Sequence, residues 1–165
     1  MTSNPLLLLL MTAASVYLGR LWWSDLRRAE AGQALPHALP GAAPAPPRAW
    51  LLASLGSLVL LAAETGGELS LGLAGSQTRL TALQALYTLS APVIEEIVFR
   101  GYLVIEGRGL AARRAGIVAA SILFALLHPF LWQWDHGWAW TPTVKGVFST
   151  AAVFASSLWF YAVRY

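Results

Sequence analysis

The chain has 165 residues, 57% of them hydrophobic and 12% charged, with a mean hydropathy of +0.58. An ordinary soluble domain carries roughly 25% charged residues, so water is the wrong solvent for this chain. No Cys is present, which excludes disulfides, thiolate metal sites and cysteine nucleophiles. The net charge of +3 comes from Arg residues scattered among polar stretches without a basic block or an aromatic platform, which argues against a nucleic-acid partner and makes them topology signals.

A hydrocarbon core about 30 Å thick needs roughly 20 apolar residues per helix, so there is room for four or five spans with short connections. Pro5 to Trp23 is the first, a Leu run followed by Arg20, Asp25, Arg27 and Arg28. A secretory signal peptide carries its positive charge before the apolar run; here the charge follows it, which predicts a retained helix with its N-terminus outside. From Glu30 to Arg48 the composition turns to Ala, Gly and Pro, and five prolines deny a continuous helix its amide donors. This stretch is expected to be a cytoplasmic linker, with His37 in it solvated.

Trp50 to Ala63 is apolar but short, and is the least secure of the spans, with a Gly- and Glu-containing loop expected from Glu64 to Arg79. Leu80 to Ile105 then carries Glu95, Glu96 and Arg100 among Ile, Val, Phe and Leu. After Arg108, Arg113 and Arg114, a further span runs from Ala115 to Trp134 with His128 inside it. A turn rich in Trp follows (Trp132, Trp134, Trp138, Trp140), expected as an interfacial aromatic belt, and Val144 to Tyr161 forms the last span before Arg164. With five spans, Arg20, Arg27, Arg28, Arg48, Arg108, Arg113, Arg114 and Arg164 share one side of the membrane while Arg79 and Lys145 fall on the other. That bias puts the C-terminus in the cytoplasm. The expected fold is all-α, a polytopic transmembrane helix bundle of four to five spans. Residues 1–48 form an N-terminal helix with its Pro/Ala-rich linker, and residues 49–165 the helical core.

A carboxylate or guanidinium at mid-membrane costs roughly 2.5–3.5 kcal/mol on insertion scales, so three such groups within six residues require a compensating use. On an α-helix Glu96 and Arg100, at i and i+4, share a face and can pair, while Glu95 lies about 100° round and is left to face a cavity. The plainer alternative is that Glu96 and Arg100 neutralise each other for packing and Glu95 reaches water near an interface. Helices joined by a short loop pack antiparallel, and counting from that loop puts Glu95 and His128 within about a turn of the same depth. A carboxylate and an imidazole facing one water can hold it and take its proton, as hydrolysis requires. No His-Glu-x-x-His run or other ligand set is present, so no metal or cofactor is expected.

The Glu-Glu-x-x-x-Arg of Glu95, Glu96 and Arg100, followed on the next helix by the Phe-x-x-x-His of Phe124 and His128, resembles the CAAX protease and bacteriocin-processing family, whose eukaryotic members include the type II CAAX prenyl endopeptidase. The resemblance covers about Leu80 to Tyr165. It implies an intramembrane glutamic endopeptidase in which Glu95 is the base, His128 its partner on the water, and Glu96 with Arg100 the support. It also implies a peptide or protein substrate in the bilayer, with prenylated CAAX tails, bacteriocin-type peptides and C-terminal sorting tags as the substrate classes. A bacterial inner-membrane role in sorting or processing is the expectation.

The sequence departs from the family in one respect: the later His and Asn that build the family's oxyanion hole have no counterpart, since the His after His128 is His136, in the Trp-rich turn. Either a last helix is missing or another donor replaces them. Ser149, Thr150, Ser156 and Ser157 are the hydroxyls available, although in membrane helices such groups more often bond their own backbone or pack helices. Two other classes follow from these residues, a non-catalytic immunity or scaffold protein and a small proton pathway.

Overall fold

The computed structural model describes residues 4–34, 36–73, 75, 81–102, 109–134 and 137–164, apart from the side chains of Arg100, Trp134 and Arg164. Arg79, Arg108 and His136 therefore lie outside the described residues. In chain order the elements are α1 (Pro5–Glu30), α2 (Pro47–Ser70), α3 (Ala82–Glu95), a π-helical segment (Glu96–Tyr102), α4 (Leu110–Leu127), β1 (Trp132–Trp134), β2 (Trp138–Trp140) and α5 (Val144–Arg164). Among the described residues five helices are long and apolar enough to cross a membrane. The all-α transmembrane bundle expected from composition is the fold, with one short hairpin added, and the chain is an integral membrane protein.

Burial is inverted relative to a water-soluble domain. The best-enclosed side chains include Ser15, Ser121, Ser157, Ala120 and Ala125, while Leu6, Leu10, Leu51, Val59, Leu89 and Leu127 point outward. Lipid is as apolar as Leu, so burying Leu between helices gains little, and small residues that let backbones approach are used instead.

The chain divides into two compact units, Met1–Ala45 with Thr78–Leu103, and Pro46–Gln77 with Val104–Tyr165. In the first, Asn4 caps α1 by accepting from the amides of Leu6 and Leu7, and Pro5 stands in the first turn, where its missing N–H costs nothing. Leu8, Thr12, Ser15 and Leu26 are the buried residues of α1, and Gly19 on the same stripe lies against Val93 of α3. Beyond Trp23 the helix continues to Glu30, where Arg27 and Arg28 complement the helix dipole. The Pro-rich linker is tied back on it, the Leu39 amide donating to Asp25 Oδ2 at 3.0 Å.

In the second unit α2 runs to Ser70. This corrects the loop expected from Glu64, because the Gly66-Gly67 pair that reads as a break lies within the helix. Gly67 sits where an added Cβ would strike the Phe148 ring of α5, and Gly56 likewise faces Trp159. Between α4 and α5 the Ser157 hydroxyl donates to Ser121 Oγ at 3.0 Å, both residues being fully enclosed.

Candidate active site

α3 begins with a capping box. The Thr81 hydroxyl accepts from the Gln84 amide, and the Gln84 side chain accepts from the Thr81 amide at 2.9 Å. Pro92 lies inside the helix, where it has no amide to donate back to the Thr88 carbonyl. Four residues later the α-helix gives way to the π segment, which opens at Glu96 and contains the Arg100 backbone. The regular α-helical wheel assumed for Glu96 and Arg100 is therefore corrected. From Glu96 onward bonding is i to i+5, a form that occurs mostly as single turns and often at functional sites.

Glu95, the last residue of α3, is half-buried, and among the described residues no hydrogen bond or ion pair holds its carboxylate. Glu96, equally half-buried, is engaged. Ile97 beside them is buried. Adjacent in sequence, the two glutamates thus differ: Glu96 has an interaction and the Glu95 carboxylate has none among the described residues. The side chain of Arg100 lies outside the described residues.

His128 is not inside a span, as the hydropathy of Ala115 to Trp134 suggested. It is the C-cap of α4, with an extended backbone at φ −75° and ψ 128°. Pro129 is the reason: its ring disfavours the helical conformation for the residue before it and supplies no amide to the last turn. That leaves carbonyls at the helix end without backbone donors. The imidazole turns back onto this last turn, Nδ1 lying 2.8 Å from the Phe124 carbonyl oxygen. A carbonyl only accepts, so Nδ1 carries the hydrogen, and in the neutral ring Nε2 presents its lone pair. Phe124 also packs edge-on against the ring at 4.8 Å, and Phe130 stacks on it at 5.6 Å. The Phe-x-x-x-His spacing has a physical meaning here: one residue supplies both the acceptor and the wall that fix the imidazole.

Glu95 and Glu96 are brought together at the start of one π turn in the first unit, and Phe124 and His128 at one helix end in the second. Of the α5 hydroxyls, Ser157 is spent on Ser121 and Thr150 donates to the Gly146 carbonyl at 2.8 Å. Those two follow the packing and backbone-bonding roles usual in membrane helices. Ser149 is buried and makes no hydrogen bond among the described residues.

The Trp-rich turn is an antiparallel hairpin, which the sequence reading missed. Trp132 pairs with Trp140, Gln133 with Ala139 and Trp134 with Trp138. Its signal was present as alternating Trp-Gln-Trp and Trp-Ala-Trp around a Gly-containing turn. The Trp132 and Trp140 rings meet edge-on at 4.8 Å.

No curated protein and no solved structure matches the chain. Residues 77–165, more than half of its length, match the family described as type II CAAX prenyl endopeptidase Rce1-like. The match takes in α3, the π segment, α4, the hairpin and α5, so both motifs lie within it. On this ground the chain belongs to the type II CAAX prenyl endopeptidase Rce1-like family, a family of CAAX-type intramembrane peptidases.

Proposed function

We propose that the protein is a glutamate-dependent intramembrane endopeptidase in which Glu95 and His128 activate one water against a peptide bond. The observation that carries this reading is the complementary state of the two groups within the family-matched stretch: a half-buried carboxylate with no partner among the described residues, and an imidazole whose Nδ1–H is fixed on Phe124 so that Nε2 is an acceptor. A water has two O–H donors. With one directed to Glu95 and one to Nε2, an oxygen lone pair is left to attack the carbonyl carbon. Glu95 takes the proton as the C–O bond forms and returns it to the amide nitrogen as the C–N bond breaks, giving an acid and an amine. Glu96 and Arg100 support the site, and the substrate is a peptide segment of a membrane-associated or sorted protein, in a bacterial inner membrane.

Residues 49–165 form the catalytic core in this account, and residues 1–48 brace it, since α1 packs on the helix that carries Glu95. The test is cleavage in membranes of a farnesylated CAAX-type peptide and of tagged C-terminal sorting-signal reporters, at equal expression of each variant. Glu95→Ala and His128→Ala are each expected to slow cleavage by at least roughly 10²-fold. Cleavage that survives both substitutions would remove the site from the chemistry.

A further inference from the structure

An amide inside a transmembrane helix has its N–H and C=O committed to its neighbours, so a peptidase working in or beside a bilayer must receive its substrate extended. The chain holds a structure suited to receiving an extended peptide next to His128. The Thr141 amide donates to the Leu131 carbonyl at 2.9 Å, and with the observed register this makes Leu131–Thr141 and Gln133–Ala139 the hydrogen-bonded pairs. Trp132 and Trp140 then form a non-hydrogen-bonded pair, which accounts for their close ring contact and turns the N–H and C=O of Trp132 outward, along the free edge of β1. An isolated two-stranded hairpin is marginal, and unpaired edge groups are costly in an apolar setting. β1 begins four residues after His128, and the hairpin closes over the end of α4 to leave an open cleft of about 370 Å³ lined by Leu126, Leu127, Pro129, Trp132 and Trp138.

We propose that the peptide substrate docks as a third strand on the β1 edge, its backbone bonding to Trp132, with one apolar side chain in the cleft between the Trp rings and the end of α4. An extended polypeptide is the ligand whose alternating donors and acceptors match a strand edge, and its every second side chain falls on the Trp face. The mode delivers the scissile amide beside the imidazole that Phe124 orients. It rests on the reading of His128 as part of the catalytic pair, but it makes a separate claim about binding.

The test uses the full chain in lipid nanodiscs and a series of farnesylated CAAX-type peptides, each carrying one backbone N-methyl group at successive residues, so that the strand edge is probed by changing the peptide and not the hairpin. Binding and cleavage are each measured with the wild type and with Glu95→Gln. Strand addition predicts that N-methylation weakens binding about tenfold at alternate residues, one lost hydrogen bond each, and little at those between. A flat or non-alternating profile, or no binding of the unmethylated peptide, overturns the proposal and leaves the hairpin as an interfacial anchor. An alternating binding profile without Glu95-dependent cleavage supports strand docking and overturns the catalytic reading alone.

Discussion

His128 owes its position to the residue after it as much as to the helix before it. Pro129 forces it out of helical geometry, and the ring turns back so that the Phe124 carbonyl is the acceptor that sets the tautomer. Replacing Pro129 by Ala supplies an amide for the Ala125 carbonyl and allows α4 to extend through residue 128, which sets the His128 amide in competition with its ring for the Phe124 carbonyl. Pro129→Ala is expected to lower kcat/KM by roughly 10²-fold, the scale of a misplaced catalytic group, while the thermal unfolding midpoint holds or rises. A fall in stability together with activity would make Pro129 merely structural. Glu95, Glu96 and His128 stand out as candidates in the sequence because charged and titratable groups among Ile, Val and Phe demand a use, and Phe124 through the family motif. The end of the helix at His128 was legible too, in the residue-before-proline rule, but the apolar residues beyond it masked the stop.

At the level of elements, glycines decide how closely helices and loops approach. An added Cβ at Gly146, near the start of α5, would run into the Phe130 carbonyl, which is backbone and has no rotamer to retreat into, whereas one at Gly66 in α2 meets nothing within 4 Å. Gly146→Ala is expected to destabilise by about 1–3 kcal/mol, and Gly66→Ala to be neutral or to stabilise by up to about 1 kcal/mol, both checked as unfolding midpoints in detergent. Equal effects would contradict the packing described. Hydropathy located all five helices, since a span must be apolar throughout. It stopped α2 too early because Glu64 and Gly66-Gly67 are breakers in water, while membrane helices use Gly for contact, as Gly67 does with Phe148. The π segment had no signal of its own beyond Pro92 one turn upstream, and the hairpin was hidden because its Trp residues also fit an interfacial belt.

For the molecule as a whole, the five helices of the described residues and the Arg distribution predict a sidedness. The absence of Cys makes single introduced thiols clean reporters. With the C-terminus cytoplasmic, Cys at Ala43 and Ala111 is expected to be blocked by an impermeant reagent only after the membrane is opened, and Cys at Leu71 and Ala139 to be blocked in intact cells; all four positions are exposed. The reverse pattern would invert the topology.

The central claim, that Glu95 and His128 share one water, is tested most directly by a chain carrying Glu95→Cys and His128→Cys, treated in membranes with a short bifunctional thiol reagent. A chain carrying Ser121→Cys and Ser157→Cys, whose hydroxyl oxygens lie 3.0 Å apart, serves as the positive control under a mild oxidant. The account predicts an intramolecular cross-link at 95–128, protected by a bound peptide. No cross-link there, while the 121–157 pair closes, would contradict it.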